Sequence, residues 1–211
     1  IGLHPHPDSD LALQGKSGKT FPATSCFFYG EKELSAILCT SKQLIGEHLG
    51  NDAKKKICSI RWGNWALNTD GAKAISKNNL KFDSSATPGI RGHTNDSRKY
   101  DWSRATSNHP WHLSMEDYQL TTEKASPVME IPIATFSFFG NIMRADPLYS
   151  EILKKSFATY HNLADRSLGQ FPFVVMTHSC EATMENGEPT QALRDLDGFI
   201  SWSLNKEMNL N

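Results

Sequence analysis

Apolar residues recur near helical spacing across Glu31 to His48, at Leu34, Ile37, Leu38, Ile45 and Leu49, and the pattern stops at Gly50. That period predicts an amphipathic helix closed by a glycine. Ile57 to Arg61 is a short apolar run of strand character, and Leu80 to Ser84 is a second. Between them, Asp70 to Lys77 reads as a helix with Asp70 or Thr69 as its cap. Val128 to Phe138 carries Met129, Ile131, Ile133 and Phe136 and reads as one strand, with Pro132 as its blemish. Pro147 to Leu168 reads as a helix opened by proline and ended by Gly169. Phe171 to Met176 is continuously apolar, as a strand buried on both faces would be. Thr190 to Leu204 closes the pattern as an amphipathic helix through Leu193, Leu196, Phe199 and Ile200. Only Arg91 to Tyr118 lacks a period; it is polar, aromatic and His-rich, and a long irregular stretch of that kind is usually functional or mobile.

Strands alternating with helices predict a parallel α/β fold, in which chemistry gathers at the carboxyl ends of the strands. The 211 residues suffice for one well-buried core, so a single domain over 1–211 is expected. Lys plus Arg total 22 and Asp plus Glu 23, a formal net charge of −1. A near-neutral chain has no global field drawing it to nucleic acid or an acidic membrane, and Lys54-Lys55-Lys56 is too short a run to change that. No apolar stretch approaches the roughly 18 residues of a membrane span. Cys26, Cys39, Cys58 and Cys180 have the spacing of neither a metal knuckle nor a redox pair, and read as buried free thiols, with one or two disulfides open to an exported chain. Asn95-Asp96-Ser97 matches a glycosylation sequon.

Four places at strand ends or in the irregular stretch hold candidate chemistry. In His4-Pro5-His6-Pro7 each histidine precedes a proline, which favours extended backbone. Residues two apart in an extended segment face the same side, so His4 and His6 form a metal nucleus, with Asp8 and Asp10 close by. Arg61-Trp62-Gly63-Asn64-Trp65 sets an arginine able to orient a carboxylate beside two indole faces suited to sugar rings. Tyr100-Asp101-Trp102 lies in the irregular stretch, and Thr177-His178-Ser179 puts an imidazole after a buried strand, well placed for proton transfer. At each place a structural role competes: a mobile tail, a paired core arginine, a solvated turn, a satisfied histidine.

Taken in order, these segments resemble the polysaccharide deacetylase-like proteins, the NodB-homology group of carbohydrate esterases. Ile1-Gly2-Leu3-His4-Pro5-His6-Pro7 is similar to that family's second motif, Arg61 to Trp65 to its third, Asp101-Trp102 to its fourth, and Phe173 to Ser179 to its fifth. Asn79 to Gly89, with Asp83-Ser84-Ser85 and Pro88, resembles the family's DSS segment and is the most specific single match. The resemblance implies a distorted (β/α) barrel of about seven parallel strands. It implies hydrolysis of acetyl groups, N-acetyl before O-acetyl, from a polysaccharide or other glycan. A divalent metal, zinc foremost, would be held by His4 and His6 and would polarise the acetyl carbonyl. His178 would be the general acid, Arg61 would support the base, and Asp101 would join the catalytic set. Trp62, Trp65 and Trp102 would bind the glycan, and an extracytoplasmic location is somewhat favoured.

The sequence departs from the family in its fourth motif, where Arg98 stands at the place of an Asp with Asp96 nearby, and in two further ways. It contains no Asp-Asp pair, and the residue four after His4 is Asp8 where the family places its second histidine. The chain is therefore expected to lack the N-terminal strands of the barrel, with a preceding segment or another chain completing it. Two other functions stand beside the enzyme: a sugar-binding, inactive relative gripping its ligand with Trp62, Trp65, Trp102 and Trp111, and a glycoside hydrolase on a similar barrel. The latter needs two carboxylates about 5–9 Å apart, with Glu130, Asp83 and Asp101 as candidates.

Overall fold

The computed structural model describes residues 2–92, 99–121, 126–146, 150–167, 171–177 and 181–208. The residues read from sequence as one domain cluster into two compact units, Ile1–Pro132 and Ile133–Asn211.

The first unit is built on a five-stranded sheet of very short strands: β1 (Gly2–Leu3), β2 (Ser59–Ile60), β3 (Phe82–Asp83), β7 (Met129–Glu130) and β6 (Trp111–His112), in that spatial order. The first four run parallel and only β6 is antiparallel. Helices connect β1 to β2 and β2 to β3, whereas the described residues between β3 and β7 hold strands and loops and no helix. The sheet is mixed. The hairpin pair β4 (Arg91–Gly92) and β5 (Tyr100–Asp101) lies within the stretch read as aperiodic.

The helices of this unit have local causes. α1 (Leu11–Ser17) starts at Asp10, whose carboxylate accepts from Leu13 N at 2.9 Å. α2 (Glu31–Leu49) starts at Gly30, whose N–H donates to Glu33 Oε2. The short α3 (Asn51–Lys55) follows, and α4 (Thr69–Lys77) is capped by Asn68, not by Thr69 or Asp70. Asn68 wins because its backbone is extended while its Oδ1 reaches Gly71 N. Leu34, Ile37 and Leu38 bury the first half of α2 against the core, whereas Leu49 is exposed. The core continues through Ile60, Trp62, Leu67, Ile75, Leu80, Trp102 and Leu113.

The second unit contains the hairpin β8 (Thr135–Phe138) and β9 (Asn141–Arg144) with α5 (Ser150–Ser167) and α6 (Gln191–Met208). The strand expected over Val128 to Phe138 is therefore two strands, β7 and β8, interrupted around Pro132, which has no N–H for a ladder. The apolar run Phe171 to Met176 forms a single parallel bridge, Val174 to Ile133, instead of a full strand. Its side chains feed an aromatic cluster: Phe173 meets Phe157 and Tyr160 edge-on at 5.3 Å each. Phe199 and Trp202 of α6 complete the cluster. Tyr160 is buried and bonded through its hydroxyl to Thr135 N, and burial pushes its phenol up to about 12.

Among the described residues, no helix is long and apolar enough to cross a membrane. Cys26 is a buried free thiol, but Cys39 and Cys58 are free and exposed, against the expectation of burial. Asn95 to Ser97, Pro147, Gly169, His178 and Cys180 lie outside the described residues.

Candidate functional site

β1 ends at Leu3, and the next residues run off the carboxyl edge of the sheet as His4-Pro5-His6-Pro7. Backbone pairing continues beyond the strand: Arg61 N donates to Leu3 O at 2.9 Å and Gly63 N to Pro5 O at 3.1 Å. This holds the His-Pro-His segment alongside the segment that follows β2. The two imidazoles meet edge-on, with His4 Nε2 and His6 Nε2 3.2 Å apart. His4 Nδ1 lies 2.8 Å from Arg61 O. A carbonyl only accepts, so His4 carries its proton on Nδ1 and turns the Nε2 lone pair toward His6. His6 Nε2 stands within hydrogen-bond reach of that lone pair.

The surroundings of the pair are tightly packed. A Cβ on Gly63 would lie 2.5 Å from Pro5 O, 2.7 Å from Thr24 Cγ2 and 2.9 Å from His6 Cε1, so only glycine fits there. Asp8 accepts a hydrogen bond from the Thr24 hydroxyl. The donor chemistry fits two ligands of a divalent ion: two zinc-bound nitrogens at about 2.0–2.1 Å in a roughly tetrahedral shell sit a little over 3 Å apart. Among the described residues, no group of three or more His, Cys, Asp or Glu is placed to hold a metal.

The other expected site residues fall differently. Arg61 is half-buried, its Nε has no hydrogen-bond partner, and no described carboxylate forms an ion pair with it. Burial pulls its guanidinium below its ordinary value. Trp62 and Trp102 are fully buried, and their indole N–H groups donate to Thr24 O and Trp65 O. Trp111 is also core. Their faces meet protein, so in this conformation they offer no surface to a sugar. Trp65 is half-buried and edge-on to Tyr100 at 5.5 Å. It follows Asn64, and both have positive φ, 54° and 56°. A bulky residue there is a backbone outlier, and such outliers cluster at functional sites. The carboxylate of Asp101 closes its own turn, accepting from Ser103 N and Ser103 Oγ at 3.0 and 2.7 Å. Burial works to raise it, but those bonds with Arg91 and Arg104 outweigh burial and hold it below its ordinary value.

Two of the candidate carboxylates form a pair that no spacing in the sequence indicates. Asp83 and Glu130 are register partners on β3 and β7, and both are fully buried. Ser85 Oγ donates to Asp83 Oδ1 at 2.8 Å, and Ala86 N donates to Glu130 Oε1 at 2.8 Å. Glu130 Oε2 is buried without a hydrogen-bond partner. Burial, followed by the Asp83 charge, pushes Glu130 well above the usual carboxylate range, and burial raises Asp83 as well, so the pair favours a protonated form. The two face each other on adjacent strands and are sealed from solvent, unlike the carboxyl groups that flank a glycosidic bond. The signal available in sequence was that each carboxylate ends a short apolar strand.

Comparison of the chain with family models, curated proteins and solved structures finds no match.

Proposed function

We propose that this chain supplies the two-histidine nucleus of a divalent metal site in a hydrolase that removes acetyl groups from a glycan. The observation that carries the reading is the convergence of His4 and His6, Nε2 to Nε2 at 3.2 Å, at the carboxyl edge of a parallel sheet. That is where open α/β sheets place their ligands. The motifs along the chain, in family order, support the substrate class, and a distorted (β/α) barrel remains the architecture proposed with it. Zinc, when bound, would act as a Lewis acid on the acetyl carbonyl. His4 and His6 would hold it, and the Arg61 carbonyl would fix the tautomer of His4. His178 is proposed as the proton donor to the leaving group.

The test is zinc content after dialysis, together with acetate release from N-acetylated and O-acetylated oligosaccharides. The expected result is about one zinc per chain, lost in His4→Ala and in His6→Ala, with acetate release lost in His178→Ala. A chain that binds no zinc and frees no acetate from either substrate would end the proposal.

A further inference from the structure

The carbonyl that holds His4 belongs to the same peptide group as the N–H of Trp62. That N–H donates to Ser85 Oγ at 2.8 Å, and the Ser85 hydroxyl donates onward to Asp83 Oδ1 at 2.8 Å. Ser85 is fully buried, and this is the one hydroxyl orientation that satisfies both contacts. Strand register produces the alignment. Ile60 pairs with Asp83, so Trp62 and Ser85 each stand two residues past a paired position. Ser84 N to Ile60 O, at 2.9 Å, extends the pairing between them. The result is an unbroken line of hydrogen bonds from Asp83 through Ser85 and one peptide group to the imidazole of His4.

We infer that Ser85 and Asp83 are positioning residues for His4, acting through the Arg61–Trp62 peptide group to fix its Nδ1–H tautomer and its ring orientation. The inference rests on the metal reading for its purpose, though the tautomer itself can be read without metal. Hydrogen bonds in a chain polarise one another, so a peptide N–H bonded to a hydroxyl that faces a carboxylate has a more strongly accepting carbonyl. Such outer partners orient a metal-binding imidazole, and their loss typically costs 10–100-fold in metal affinity. The DSS segment, singled out in the sequence for its resemblance alone, thereby gains a physical task.

The experiment uses the 211-residue chain and two readouts: the ¹⁵N shifts of the His4 ring nitrogens in metal-free buffer, and titration with zinc ion alone. In the wild type His4 is expected as the Nδ1–H tautomer. Ser85→Ala is expected to mix in the Nε2–H form and to weaken zinc binding 10–100-fold, and Ser85→Thr, which keeps the hydroxyl, to restore both. A wild-type His4 found as Nε2–H overturns the inference with no variant needed, which covers the case in which Ser85→Ala fails to fold. Unchanged tautomer and affinity in a folded Ser85→Ala overturn it too, leaving the metal reading standing. A Ser85-dependent tautomer in a chain that binds no zinc supports the positioning role and removes the metal reading.

Discussion

Two pairs of like groups are pressed together in the first unit, and they are stabilised in opposite ways. His4 and His6 meet at the edge of the sheet, His4 exposed and His6 half-buried. Asp83 and Glu130 meet inside it, with neither exposed. Two lone pairs, or two carboxylates, repel at contact unless something positive lies between them. At the open pair a proton suffices and an incoming metal ion can displace it. At the sealed pair only a proton will do, because no cation can reach it from solvent. Access, more than residue type, therefore separates a candidate ligand site from a structural lock.

The sealed pair should respond most to damage. Glu130→Ala removes the partner and leaves Asp83 as a buried carboxylate above an empty volume. Stranding a buried charge typically costs about 3–5 kcal/mol. Urea unfolding at neutral pH should show a loss of that size, and a loss under about 1 kcal/mol would mean that the pair is not sealed.

The open pair is reached through its packing. Gly63→Ala puts a methyl group against Pro5 O, Thr24 and His6 at once, two of the three being poorly able to yield. Overpacking of this kind costs about 1–3 kcal/mol. The same change should disturb the His6 ring resonances more than those of His161 in the second unit. Equal shifts at both would argue that the strain is not focused on the pair.

Much of the fold was legible in the sequence, and the reasons are physical. α2 declared itself by its period and by Gly50 as a stop, and α6 by its period, since a helix writes its pattern locally. His4 and His6 were legible as a pair because the two prolines hold the segment extended and two residues apart is the extended repeat. Asp83 and Glu130 were not, because only the register of β3 on β7 joins them, and register is a property of the sheet. Trp62 and Trp102 misled for a related reason. An indole beside a motif reads as a binding face, but burial is decided by what packs on it, and here both side chains are core. Strands of two residues also leave little alternation to read, so β7 and β8 merged into one expected run.

The sealed pair also has a pH signature of definite sign. Burial and Asp83 raise Glu130 in the folded chain above its unfolded value. The contribution is full below the unfolded value of about 4.3 and is lost as pH rises toward the raised folded value. Relative to Glu130→Gln, whose amide keeps a donor for Asp83 without titrating, the wild type should lose stability with rising pH. One proton sets a limit of about 1.4 kcal/mol per pH unit. A difference between the two proteins that stayed flat from pH 4 to 9 would show that Glu130 ionises normally.

The smallest effect should come from a pair that looks the most favourable on paper. Lys16 and Glu47 carry opposite charges and are in contact, with side chains 35% and 52% exposed. Water screens that attraction and both long side chains lose freedom in making it, so such pairs are worth about 0.2–1 kcal/mol. Lys16→Ala should therefore shift the unfolding midpoint far less than Glu130→Ala, although it breaks an attraction and Glu130→Ala breaks up two groups that would repel. If Lys16→Ala proved the more damaging, sign of charge would govern stability in this chain, and the contrast drawn between its open and sealed pairs would fail. If it is nearly silent, burial sets the scale, and the buried carboxylate pair with the hydrogen-bonded line from Asp83 to His4 is the part of the first unit where substitutions carry most weight.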